Sequence, residues 1–157
     1  MAAAAIGFAQ AATPKARLTG IWRLVSCVRT HKDGSTSLPW GENPVGQIIY
    51  LSNGRMSVQI MRPGRHSTVP PGIDYGSSQA TEQEVREAVS GFVSYFGTYS
   101  VDEAANKVTH HLEAALVPSW VGTSLVRAFQ IDSSGQLILT RQVPDEKDVL
   151  VWRRMAH

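Results

Sequence analysis

The chain has 157 residues, 43% of them hydrophobic and 18% charged, which suits one globular domain with a substantial core and excludes a disordered polymer. Lys and Arg number 15 against 13 Asp and Glu, a formal net charge of +2. That balance is mild and the basic residues are scattered, so nucleic acid is not an expected partner. No apolar run reaches the roughly 18 to 20 residues that span a bilayer, and the single Cys27 excludes an internal disulfide and a cysteine cage for metal.

Residues 1–17 read as an N-terminal arm ahead of a domain over 18–157. The arm is small and apolar, and Ala9-Gln10-Ala11 resembles a signal-peptide cleavage site. It lacks a basic leading segment, so a cytoplasmic location is the expectation and export the lesser alternative. A first strand covers 18–30. Alternation puts Gly20, Trp22, Leu24, Ser26 and Val28 on one face and Arg23, Val25, Cys27 and Arg29 on the other. Cys27 there is a half-buried strand residue rather than a nucleophile. After a turn at Lys32-Asp33-Gly34-Ser35, residues 38–44 form an irregular loop whose Trp40 is placed to cap an opening.

An apolar strand with Tyr50 over 45–51 and a partner strand over 55–62 are joined by the hairpin signal Ser52-Asn53-Gly54. Three prolines make 63–78 a long loop, a common place for lids. One helix is expected over 81–96. Thr81 and Glu84 form a capping box, and Val85, Ala88, Val89, Phe92, Val93 and Phe96 recur at helical spacing. Strands follow over 98–102, 107–117, 125–132, 136–142 and 149–155. Eight strands joined by tight turns argue for a mainly β, antiparallel meander, and eight strands can close into a barrel holding one small ligand.

The stretch from Thr109 to Thr123 holds the densest chemistry. On its strand His110 shares a face with Val108, Leu112 and Ala114, while His111 shares the other with Thr109, Glu113 and Ala115. Whichever face lies inside, an imidazole goes with it. Adjacent histidines on opposite faces cannot chelate one metal, so no metal site is expected. Arg127 shares a face with Leu125, Phe129 and Ile131, which points it inward. Two readings stay open. The plain one is a structural Arg127–Glu113 pair with a hydrogen-bonded core histidine. The sharper one has Arg127 polarise a carbonyl or enolate while His110, His111 or Glu113 moves a proton. Trp40, Tyr50, Gln59, Tyr99, Trp120 and Phe129 are ligand-binding candidates, each equally at home as core or rim packing. Phosphate loops, dinucleotide fingerprints and serine elbows are all missing, so no cofactor is expected.

Several segments together resemble a known family. They are Gly20-Ile21-Trp22-Arg23-Leu24-Val25-Ser26, Pro44-Val45-Gly46, Met56-Ser57-Val58-Gln59, Met61-Arg62-Pro63, Tyr95-Phe96-Gly97-Thr98-Tyr99, Thr109-His110-His111 and Pro118-Ser119-Trp120-Val121-Gly122. With an arginine of Trp152-Arg153-Arg154 facing Trp22, this set is similar to the lipocalin-like domain family of small bacterial and fungal proteins. The resemblance implies an eight-stranded antiparallel barrel, a helix across one end and an internal ligand cavity; the expected occupant is a small, mostly hydrophobic molecule bearing a carbonyl-type group. The resemblance implies either a passive carrier or a cofactor-independent cyclase or isomerase on a natural-product intermediate, and the expectation leans to the enzyme. No membrane partner is expected, and a homodimer is left open.

Overall fold

Period-two alternation of apolar residues builds one continuous sheet. The computed structural model describes residues 13–76 and 79–156. The elements are α1 (Pro14–Leu18), β1 (Gly20–His31), β2 (Thr36–Ser37), β3 (Val45–Tyr50), β4 (Arg55–Met61), α2 (Glu82–Ser90), β5 (Phe92–Asp102), β6 (Lys107–Ala115), β7 (Ser124–Ile131), β8 (Leu137–Val143) and β9 (Glu146–Arg154). A single 3-10 turn, Pro118–Trp120, links β6 to β7. From β3 to β9 each strand pairs antiparallel with the next, and β9 returns to β1 from Trp22↔Arg154 to His31↔Glu146. The eight long strands therefore close into the expected barrel, with β2 a short addition on β1.

Closure leaves one inner face for the core. Trp22, Leu24, Ile48, Val58, Leu112, Leu139 and Trp152 are all buried there. One end is sealed. α1, capped by Thr13, brings the fully buried Leu18 under the barrel, and Trp22 Nε1 donates to the Leu18 carbonyl at 2.8 Å. The Arg154 guanidinium stacks over the Trp22 ring at 4.0 Å and donates to the carbonyls of Thr19, at 2.6 Å, and Arg17. Gly20 makes room for it. Its φ is +142°, and a Cβ there would lie 2.3 Å from Arg154 Nη1. The cleavage-like Ala9-Gln10-Ala11 falls outside the described residues.

The helix differs from expectation. The capping box forms, with Thr81 and Glu84 bonding each other's backbone, but α2 stops at Ser90 rather than running to 96. Phe92, Val93 and Phe96 belong to β5, where Val93, Tyr95 and Tyr99 face in and Phe96 faces out. Apolar residues at positions 92, 93 and 96 satisfy both periods, and pairing of β5 with β4 and β6 decides for the strand. No residue of α2 is buried, and Val89 remains half exposed. Instead of lying on the core, the helix is strapped to the long loop. Glu84 accepts from the Thr68 N–H and hydroxyl at 2.6 and 2.7 Å, and those bonds with Thr81 bring its carboxyl down to about 2.

Two bulges re-aim side chains. In β1 the register against β9 shifts between Leu24 and Ser26. Trp22 and Leu24 face in before it, and Cys27 and Arg29 face in after it, so the strict alternation expected for this strand fails. Between β5 and β6 the register shifts at Phe96/Gly97, where Glu113 is the extra residue on β6.

Candidate functional site

Opposite the sealed end the barrel holds a cavity of about 530 Å³, a size that suits a small organic ligand. Its apolar walls come from Ile48, Val58, Ile60, Leu125, Leu139 and Leu150, with Trp40, Trp120 and Trp152 among the aromatics. The polar groups gather in two places, one deep and one at the mouth.

The deep group is a chain of hydrogen bonds centred on His110, which is 1% exposed. Tyr50 Oη lies 2.7 Å from His110 Nε2, and Tyr95 Oη lies 3.1 Å from His110 Nδ1. Burial first, then the nearby Arg127 charge and His111, push the imidazole down to about 3. His110 is therefore neutral at physiological pH. Burial likewise raises both tyrosines, Tyr50 well above the usual phenol and Tyr95 to about 12. Tyr95 also bonds Arg127, whose guanidinium partly offsets that burial.

A neutral imidazole has one donor and one acceptor, so its two phenol neighbours play opposite roles. Tyr50 is fully buried, and among the described residues its hydroxyl meets only His110. Its proton must go to Nε2, because the reverse tautomer strands a buried O–H at a cost of about 1–3 kcal/mol. Nδ1–H then donates to Tyr95 Oη. Tyr95 lines the cavity, and its own proton is left over.

At the mouth, Asp148 is 6% exposed and lies between two arginines. Arg29 Nε and Nη2 donate to its two oxygens at 2.7 and 2.9 Å, and Arg141 Nη1 donates to Oδ2 at 3.1 Å. Glu146 approaches both guanidiniums at 3.4 Å. Burial alone would raise the Asp148 carboxyl, but the Arg29 bonds and the two charges outweigh it, and the group sits below the usual carboxylate range. Cys27, beside this cluster, is driven up to about 12 by burial and by the Asp148 charge, so its thiol stays protonated.

The structure separates the residues singled out from the sequence. His110, Arg127, Trp40 and Trp120 all line the cavity. Tyr50 stands behind His110. Tyr99 and Phe129 are buried deeper, Tyr99 donating to the Leu51 carbonyl at 2.9 Å and Phe129 lying near Pro14 and Arg17 of α1. Three are on the outer face. His111 is held between the Ser100 and Ser124 hydroxyls, each at 2.9 Å. Glu113 pairs with Arg55 at 2.6 Å rather than with Arg127, and Gln59 accepts from Gln47 at 3.0 Å. The Arg127–Glu113 pair does not form because β6 and β7 aim the two side chains to opposite sides of one sheet. Replacing Glu113 by Gln is expected to change stability by no more than about 1 kcal/mol, the usual range for an exposed pair. Ligand affinity should be unchanged, as a thermal melt and a binding titration would check.

Tyr95, Trp152, Arg29, Arg141 and Asp148 were missed as site residues. Tyr95 fell inside the helix expected over 81–96, so the strand face it shares with Tyr99 emerges only with β5 running from Phe92. Arg29 had no signal, because the bulge that turns it inward leaves no mark in the alternation. Among the described residues no group of three or more His, Cys, Asp or Glu is disposed to hold a metal ion.

A closed eight-stranded antiparallel barrel, sealed at one end by a Trp–Arg stack and hollow at the other, defines a small-molecule-binding barrel of lipocalin type. The lipocalin-like domain family model matches residues 19–155, and the chain belongs to that family. Among curated proteins it is similar to the 4'-hydroxy-3'-methoxypropiophenone carrier protein ppsC of Aspergillus oryzae, with 26% identity over 113 residues, 64% of this chain and 96% of the relative. Among solved structures, a mutant of the fluorescent protein UnaG aligns over 90% of this chain and 98% of its own at 13% identity, with a TM-score of 0.41.

Proposed function

We propose that this protein is a non-catalytic carrier that encloses a small aromatic ketone or related acceptor-bearing molecule and releases it unchanged. The observation that carries this reading is the state of His110. Both its nitrogens are taken by tyrosines, and it is held neutral far below its ordinary pKa. A proton-transfer catalyst needs a base that titrates near the working pH and reaches the substrate. His111 and Glu113, the other candidates, are on the outer face. The carboxylate that does line the cavity, Asp148, has both oxygens engaged by arginines. What remains inside is an apolar wall with donors at fixed points, which serves binding and orientation. The relative whose name makes it a carrier of 4'-hydroxy-3'-methoxypropiophenone, an aryl ketone, supports the same ligand chemistry.

One observation favours a second reading, a cofactor-independent cyclase or isomerase. Arg127 and Tyr95 together would polarise a bound carbonyl, and the barrel would restrict the substrate's conformations. Equilibrium dialysis with 4'-hydroxy-3'-methoxypropiophenone, followed by chromatography of the released compound, separates the readings. Saturable one-to-one uptake with quantitative recovery is the expected result. A time-dependent new product would overturn the carrier reading in favour of catalysis, and absence of uptake would remove this ligand class.

A further inference from the structure

Resting on the cavity reading above, the geometry points to a ligand bound as an anion, a phenolate or carboxylate whose charged end meets the Arg127 guanidinium and the Tyr95 hydroxyl. Two independent observations lead there, and a third agrees with an acceptor in the same cavity. The first is proton direction. With Tyr50 donating to His110 and His110 donating to Tyr95, the Tyr95 proton has no acceptor among the described residues, and its ring lines the cavity. Arg127, its neighbour, carries only donors. That end of the cavity therefore offers donors alone, and only an acceptor completes it.

The second is charge. Three guanidiniums line the cavity, those of Arg29, Arg127 and Arg141. Two carboxylates, Asp148 and Glu146, serve Arg29 and Arg141. None among the described residues serves Arg127, which donates to the neighbouring Val126 carbonyl at 2.9 Å and bonds the neutral Tyr95 hydroxyl. A guanidinium half-buried in a barrel, without a counter-charge, is stabilised by an anion far more than by a neutral group. The third is the indole of Trp152. It is 1% exposed, lines the same cavity, and its buried N–H has no partner among the described residues. A buried donor of this kind can be met by an acceptor oxygen of a molecule in the cavity.

The neutral alternative, a ketone oxygen at the same point, would satisfy the Tyr95 proton and leave the Arg127 charge uncompensated. A matched pair of probes separates the two. Anilinonaphthalene sulfonate and N-phenylnaphthylamine share one ring system and differ by the sulfonate. Fluorescence titration of the full chain should show the sulfonate binding about tenfold tighter or more, the scale of one charge-assisted contact. Each probe should displace the other one for one. Arg127→Met should erase the preference while N-phenylnaphthylamine binding persists, which also reports an intact cavity. Arg127→Lys should restore part of it, and Arg23→Met, on the outer face, should leave it unchanged. Equal affinity of the wild-type chain for both probes would overturn the anion assignment and leave the cavity reading standing. So would a sulfonate preference that survives Arg127→Met. Failure of both probes to bind would instead overturn the cavity reading itself, and the assignment with it.

Discussion

Gly97→Ala is expected to destabilise the barrel by at least ~3 kcal/mol, the upper end of what overpacking costs, and to yield mostly insoluble protein. A Cβ built at Gly97 lies 1.9 Å from the His111 carbonyl oxygen and 3.0 Å from the Glu113 nitrogen. Both are backbone atoms of β6, so no side-chain rotation relieves the contact. The close approach arises where the β5–β6 register shifts between Phe96 and Gly97. Relief would require opening these two strands, and they carry Tyr95, Tyr99 and His110. Any Gly97→Ala protein that survives should therefore also lose ligand binding. Urea unfolding followed by Trp fluorescence measures the first effect and a probe titration the second. An unfolding midpoint near that of the wild type would show that the close approach is not enforced.

Acidification should destabilise the protein well above the range where carboxylates titrate, and His110 sets the window. In the unfolded chain a histidine protonates near its ordinary value of 6.5, whereas folded His110 does so only at about 3. Between these values the unfolded state binds a proton that the native state refuses, so stability falls as pH falls, by about 1.4 kcal/mol per pH unit. From pH 7 to pH 5 the loss should be about 2 kcal/mol. Asp148 adds a second, lower window. Its folded carboxyl lies below the ordinary 3.8, so its contribution is present above that value and is lost as pH falls below it. Chemical denaturation at pH 7, 6 and 5 resolves the histidine term. His110→Gln should be less stable at pH 7 but should flatten the slope between pH 7 and 5, and an unchanged slope would assign the effect elsewhere.

The barrel was legible because closure needs little beyond alternation and turns. The strand with Met56, Val58 and Ile60 shows a clean period of two, its partner with Ile48 and Tyr50 is a short apolar run, and a Ser-Asn-Gly hairpin lies between them. The stack of Trp22 with an arginine of the last strand was legible from its motif, though not which of Arg153 and Arg154 makes it, and so was the family. The helix end was not, since apolar residues at 92, 93 and 96 fit either period and only long-range pairing selects the strand. The site was half legible. That one of His110 and His111 must face inward follows from adjacency alone, but which one depends on the register with β5 and β7, where Tyr99↔His110 and His110↔Leu125 oppose. Arg29 was hidden because the bulge after Leu24 reverses the face of every later residue in β1, whereas Asp148 keeps the alternation of Leu150 and Trp152 but lay one residue before the strand expected over 149–155. A one-residue irregularity thus turned Arg29 towards Asp148 at the cavity mouth.

The most direct test of a ligand held in the open half of this barrel uses its four tryptophans. Trp40, Trp120 and Trp152 line the cavity, while Trp22 lies at the sealed end with its N–H donated to the Leu18 carbonyl. In a nitrogen-15 correlation spectrum the four indole N–H signals report separately. Addition of 4'-hydroxy-3'-methoxypropiophenone should move the signals of Trp40, Trp120 and Trp152, that of Trp152 most, and leave that of Trp22 in place. Binding that leaves all four signals unmoved would put the molecule on the outer surface and contradict the carrier account.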